Sequence, residues 1–227
     1  MAAEPIIAKA VETGRQESKA DTAAAVLPTG EPFIQYVWCS AGISKKLEDV
    51  LCSFIIAQLQ KGLNVSEYVF YVSSVGGDPY AGVNLFSFLK SLSIKTTAYN
   101  MGMVASAGVP FFLGFGTRIG VPNCSFMVHQ TTINRNSFPE NVNVFEMQTQ
   151  LQLLAGTDKK TQAIIETETR AKAQTPLTTS EVEAAIERSQ TYQAEDALKY
   201  GFIEKIEQPE ISKTNILYVT DEWLKTN

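Results

Sequence analysis

The residues Tyr68-Val69-Phe70-Tyr71-Val72-Ser73-Ser74 form a nearly continuous run of strand formers. A strand with one wet face alternates apolar and polar residues, whereas a run without alternation is the pattern of a parallel strand covered on both faces. The flanking segments supply the cover. Before the run, Ser44 reads as an N-cap, and Leu47, Val50, Leu51, Phe54, Ile55 and Leu59 recur at helical spacing until Gly62 stops them. After it, Asp78 reads as an N-cap with Pro79 at the first helical position, and Ala81, Leu85, Phe88 and Leu89 continue the helix. Segments 33–39, 95–100 and 125–128 read as further strands, and 107–115 as a buried helix. The order βαβαβαβ predicts an α/β fold with a largely parallel core and right-handed crossovers.

Beyond that core the sequence changes character. Residues 1–30 read as a flexible tail ending at the turn Pro28-Thr29-Gly30, and they lack the apolar stretch of a signal peptide. From 142 to 173 the chain is polar, with Val144, Met147, Leu151 and Leu154 at helical spacing, which predicts a long helix projecting from the core. Another helix begins near Thr179 or Ser180, and Ala194 to Tyr200 reads as a short helix capped by Gly201. Residues 31–207 therefore make the main domain. The rest, 208–227, is a C-terminal extension whose apolar patch Ile216-Leu217-Tyr218-Val219 can add an edge strand.

Composition narrows the functional classes. A chain of 227 residues with 44% hydrophobic content buries a full core as one domain plus tails. Against 24 acidic residues stand 19 basic ones, a net charge of -5 without a Lys/Arg cluster, which argues against a nucleic-acid partner. The longest apolar run, from Val109 to Phe115, is broken by Pro110 and Gly114 and falls far short of the ~20 residues that span a bilayer, so no membrane association is expected. Cys39, Cys52 and Cys124 are odd in number and widely spaced, which predicts buried reduced thiols, a cytoplasmic location and no metal site.

The candidate chemistry gathers where parallel strands end. Ligands and reacting groups of open α/β sheets collect at the carboxyl ends of the strands. His129, the chain's single histidine, follows the strand 125–128; Ser106 and the pair Gly76-Gly77 each follow another. Each has an ordinary structural reading: a hydrogen-bonded histidine, a small residue that lets a helix pack closely, a common turn. Together they have a chemical one. Imidazole suits the removal of a proton from a serine hydroxyl near neutral pH. A serine at a helix N-terminus stands where unpaired N–H groups favour negative charge. The amides of Gly77 and Ala107 would then form an oxyanion hole.

The blocks 71–77 (YVSSVGG), 81–82 (AG), 101–108 (MGMVASAG), 122–130 (PNCSFMVHQ) and 194–203 (AEDALKYGFI) resemble, in order, the Clp protease proteolytic subunit family. The resemblance covers roughly residues 33–207. It implies the ClpP/crotonase-type spiral of β-β-α units with a projecting handle helix, and serine-type endopeptidase activity that needs no cofactor. It also implies Ser106 as nucleophile, His129 as general base, Gly77 and Ala107 as oxyanion-hole amides, and the segment near 142–173 as the handle through which rings stack. The implied partners are peptide or unfolded-protein substrates, further copies of the chain in a homo-oligomeric ring, and an unfoldase ATPase. This chain has no GxxxxGK[ST] phosphate loop of its own.

Three positions depart from the family pattern. Counting back from Gly201, the place of the catalytic aspartate is taken by Ser189, with Glu187 the nearest carboxylate, and no aspartate lies between Asp158 and Asp196, so Glu187, or alternatively Ser189, would orient His129. The glycine-rich segment expected after the His-Gln pair is Thr131-Thr132-Ile133-Asn134-Arg135-Asn136, and the proline expected before Gly76-Gly77 is Val75. In chymotrypsin-type enzymes a neutral amide in place of the aspartate costs ~10⁴ in turnover. The first departure therefore motivates an alternative, a ring subunit with weakened or no catalysis and a structural or regulatory role. A crotonase-type acyl-CoA enzyme is a more distant alternative, since such enzymes build their oxyanion hole from amides without a Ser–His pair.

Overall fold

The protein's structure, a computed structural model, describes residues 29–132 and 143–226; the tail up to residue 28 and the segment 133–142 lie outside the described residues. Strand β1 (Thr29–Ser40) is followed by helix α1 (Lys45–Gln60), whose N-cap Ser44 accepts a hydrogen bond from the Leu47 N–H. Strand β2 (Leu63–Ser74) leads to α2 (Pro79–Ser91), capped by Asp78 with Pro79 in the first turn. Then come β3 (Lys95–Ala105), the six-residue helix α3 (Gly108–Leu113), β4 (Thr117–Gly120) and β5 (Ser125–Met127). The long helix α4 (Val144–Arg170) and α5 (Thr179–Glu187) both start from complete capping boxes, on Asn143 and Thr178. The chain ends through β6 (Thr191–Gln193), α6 (Ala194–Lys199), β7 (Lys205–Ile206), β8 (Ile216–Thr220) and α7 (Asp221–Thr226).

The main path of the sheet runs β6-β5-β3-β2-β1-β8, with β4 and β7 branching from β3. Its ladders are parallel except for β5 with β6. As its unbroken apolar pattern requires, residues 68–72 of β2 are buried. The C-terminal segment does supply an edge strand: β8 pairs with β1, and Val219 and Leu224 are buried beneath that edge.

Strand β3 is the pivot. Its first half, from Thr97 to Asn100, pairs with β4, and its second half, from Met103 to Ala105, pairs with β5. A bulge separates the halves, with Val72 opposite Asn100 but Ser74 opposite Val104. Asn100, fully buried, holds the bend: its Nδ2 donates to the Ser125 carbonyl at 2.9 Å and its Oδ1 accepts from the Gly102 N–H at 3.1 Å. Bulges re-aim the chain beyond them, and here the re-aimed residue is Ser106. Beneath it lies an aromatic floor, in which Phe70 and Phe111 both pack on Phe115, and Phe112 on Phe126.

Strands β4 and β6 and helix α7 are not anticipated by the sequence patterns. They are short, and β4 buries a charge, Arg118, where a single sequence favours a surface position. Cys39 and Cys124 are buried as expected. Cys52 is only half-buried, because it faces the edge of α1 and not its apolar stripe. Burial holds the thiols of Cys39 at about 12 and of Cys52 and Cys124 at about 11, so all three are protonated and inert at neutral pH.

Candidate active site

Ser106 sits on a sharp turn between β3 and α3 with φ of 53°, in the left-handed region that costs a non-glycine residue on the order of 1–3 kcal/mol. The surroundings impose this conformation. Its N–H donates to the Met127 carbonyl at 2.8 Å, tying the turn to the end of β5, and its carbonyl accepts from the Val109 N–H at 2.9 Å, starting α3. Underneath, the Gly76 backbone is packed so closely that an added Cβ would lie 2.5 Å from the Ser106 Cβ. A strained serine raised on a strand-to-helix turn is the arrangement of a nucleophile elbow.

The turn at Gly76-Gly77 is shaped by the chain that crosses it. Ile43 donates to the Gly76 carbonyl at 2.9 Å and accepts from the Asp78 N–H at 2.8 Å, bracketing Gly77. Gly77 has φ of 148°, and a Cβ there would meet the Ile43 carbonyl oxygen at 2.1 Å, so the position requires glycine. Among the described residues the N–H groups of Gly77 and Ala107 donate to no other protein group. Ala107 is the N-cap of α3 and has no side chain that could accept from the first helical amides. Because α3 has only six residues, these individual donors matter more here than a helix dipole.

One cleft is lined by Gly77, Ser106, Ala107 and His129. The expected serine, the histidine and both expected amides are thus brought together. His129 is half-buried, two residues past β5. Among the described residues it takes part in no ion pair with a carboxylate.

The two residues expected behind the histidine are placed differently. In the β5/β6 ladder Ser125 faces Gln193, Phe126 faces Tyr192 and Met127 faces Thr191, and the Val128 N–H donates to the Gln190 carbonyl at 3.0 Å. Continued past its last pair, this register would bring Ser189, an exposed residue, level with His129. Ser189 is delivered there by the end of α5, where it adopts φ of 55°. Its N–H bonds to the Ile186 carbonyl and that of Gln190 to the Ala185 carbonyl, the paired bonds of a Schellman turn. Glu187, the last residue of α5, is exposed, and neither it nor Ser189 lines the cleft.

Two features of the site escape the sequence reading. Asp158 and Thr161 of α4 also line the cleft, and the Asp158 Oδ1 accepts from the Thr131 N–H at 2.9 Å. Their signal is present in the sequence: they continue the stripe of Val144, Met147, Leu151 and Leu154 at helical spacing, where a polar residue interrupts an apolar pattern. The other is Arg118, completely buried, whose guanidinium reaches the carbonyls of Leu113, Glu168, Gly201 and Phe202 and the Glu168 carboxylate. It ties α3, α4 and the turn after α6 into one unit behind the elbow. Among the described residues no cluster of three His, Cys, Asp or Glu side chains can hold a metal ion, and no helix is long and apolar enough to cross a membrane.

A family model described as "Clp protease" matches residues 36–210 of the chain, well over half of it. The chain belongs to the Clp protease family. It is 27% identical to the ATP-dependent Clp protease proteolytic subunit 2 of Treponema pallidum over 169 residues, 72% of this chain and 79% of that protein. To the subunit of the same name from Tropheryma whipplei it is 26% identical over 174 residues, 75% of this chain and 89% of that protein. The solved structure of a ClpP1 point mutant from Listeria monocytogenes matches with a TM-score of 0.62 at 17% identity, covering 77% of this chain and 92% of that one. The α/β architecture is therefore the Clp protease fold, and Ser106 and His129 lie inside the stretch matched by the Clp protease family model.

Proposed function

We propose that this Clp protease family member is a serine endopeptidase in which Ser106 attacks the scissile carbonyl. His129 takes the serine proton and returns it to the leaving amine, and the Gly77 and Ala107 amides hold the oxyanion. The observation that carries the reading is the strained Ser106 elbow sharing one cleft with His129 and two open backbone donors. Ser189, toward which the β5/β6 register runs when continued to His129, would be the orienting group, with a hydroxyl in place of a carboxylate.

The catalytic unit is assigned to residues 31–207, with α4 as its handle and the extension from 208 closing the sheet edge. Helix α4 exposes Val144, Phe145, Met147, Leu151 and Leu153, all five at roughly half exposure or more. So many exposed apolar side chains on one helix support self-association, here into stacked rings in the cytoplasm, fed with unfolded protein by a separate ATPase. An activity-based fluorophosphonate should label the wild-type protein on Ser106, and Ser106→Ala should abolish both labelling and peptide hydrolysis. Hydrolysis that persists in Ser106→Ala sinks the reading.

One observation favours a second reading, a ring subunit without turnover: among the described residues no carboxylate is paired with His129. It predicts intact oligomers that neither take the label nor cleave peptides.

A further inference from the structure

Past the reacting groups, the wall of the cleft is unusually polar for a site that is to receive a side chain. Thr131 and Thr132 line it from the segment after His129, and Asp158 and Thr161, three residues apart on one face of α4, line it from the handle. Pro79, Val109 and Ile186 supply the apolar part of the lining. Asp158 is half-buried and its orientation is fixed, since one oxygen accepts from the Thr131 N–H at 2.9 Å. Among the described residues no lysine, arginine or histidine pairs with it, although Lys159 and Lys160 follow it in the chain.

A held, half-buried carboxylate that meets no cation among the described residues, in a cleft also lined by three threonines, is a receptor for a positive charge. We infer that Asp158 makes the cleft select a substrate with lysine or arginine on the acyl side of the scissile bond. The aliphatic stem of such a side chain lies along apolar surface while its charged head meets the carboxylate. An aspartate placed in the pocket beside a serine nucleophile fixes basic specificity in the same way in trypsin. A neutral apolar side chain would instead leave Asp158 desolvated and unpaired, which adds a penalty against it. Asp158 is thus a specificity-determining residue of the proposed peptidase site, and the inference rests on that site receiving peptide.

The test has two arms. In the first, fluorogenic peptides that differ only in arginine or leucine at the cleaved position are compared on the full-length protein. The arginine-to-leucine ratio of kcat/KM should exceed tenfold and should fall at least tenfold in Asp158→Asn. That variant keeps an oxygen for the Thr131 N–H, so the change reports charge and not the anchoring of the segment. The second arm needs no turnover: calorimetry of the uncleaved arginine and leucine peptides on Ser106→Ala, with and without Asp158→Asn. Binding that favours arginine and loses the preference with Asp158→Asn supports the inference even where the wild type cleaves nothing, an outcome that sinks only the peptidase reading. Cleavage with a ratio near one, or binding with no preference, overturns the inference and leaves the peptidase reading standing. No cleavage and no binding of either peptide overturns both.

Discussion

Arg118 and His129 are two basic side chains carried by one sheet, and the protein treats them oppositely. Arg118 is completely buried, yet four carbonyls and the Glu168 carboxylate surround its guanidinium. Burial pulls its pKa down, while the charges of Glu168 and Glu204 push back. Glu168 is itself shared with Lys90 at 2.9 Å. His129 sits at the open rim, half-buried, and pairs with no carboxylate among the described residues. Polar partners are concentrated behind the elbow, where they fix the position of α3 and so of Ser106. The histidine, the proposed proton carrier, is left with the weaker support. A scaffold that holds the nucleophile and oxyanion donors rigidly retains part of the catalytic advantage even when the base is poorly oriented, because those donors stabilise charge independently of it.

The largest effect should come from removing the saturated partner. Arg118→Met leaves four carbonyls without their donor and Glu168 with only Lys90. Losing one member of a buried ionic network costs about 3–5 kcal/mol. Denaturant unfolding should show a loss of that size, and the fluorophosphonate should label the variant more slowly as α3 loosens. A loss under 1 kcal/mol would mean that the clamp does not hold the elbow and that the contrast between the two groups is wrong.

The next experiment supplies what His129 lacks. Ser189 occupies a left-handed position at the end of α5, and aspartate tolerates that conformation better than most residues. Ser189→Asp should therefore place a carboxylate opposite the imidazole without refolding the turn and raise kcat/KM on the order of 10²-fold, part of the ~10⁴ that an orienting aspartate contributes in chymotrypsin-type enzymes. Glu187→Gln should change it less than twofold, since the β5/β6 register, continued toward His129, leads to Ser189 and not to Glu187. A large loss in Glu187→Gln with no gain in Ser189→Asp would show that the histidine is already oriented, by the other residue.

The legibility of these features follows from the range of the interactions behind them. Strand β2, α1 and α2 are readable because burial on two faces, helical spacing and capping residues act within a dozen neighbours in sequence. Ser106, His129 and Gly77 are readable as candidates because each follows a strand end, although their meeting in one cleft depends on the bulge at Asn100, which no local pattern announces. The count back from Gly201 lands on Ser189 with Glu187 two residues away, but how either lies relative to His129 turns on the register of the three-residue strands β5 and β6, which no local pattern announces. What Arg118 and Asp158 bond to is hidden for a further reason. Their partners lie at sequence separations of 83 to 84 residues, for the carbonyls of Gly201 and Phe202, and of 27, for the Thr131 amide.

The smallest effect belongs to the outer edge of the Arg118 clamp, where Glu204 accepts from the Arg118 N–H at 3.0 Å and pairs with Lys172. Partial burial pushes the Glu204 carboxyl up, but the Lys172 ammonium, the Arg118 N–H and the Arg118 charge outweigh it, and the folded pKa lies below the ordinary 4.5. A carboxyl depressed by folding adds stability that is fully present above its unfolded value and is lost as pH falls through the folded one. The side chain is about a third exposed, so solvent screens the pair and the contribution stays below about 1 kcal/mol. Thermal unfolding of Glu204→Gln should accordingly match the wild type closely near neutral pH, with a small deficit, and should lose less stability than the wild type as the pH drops below 4.5. Equal slopes in that acid range would place the acid-sensitive contacts elsewhere in the fold. A shallower slope in the variant would show that the clamp is tuned by charge out to its rim, in contrast to the histidine at the opposite end of the elbow, which has no such partner among the described residues.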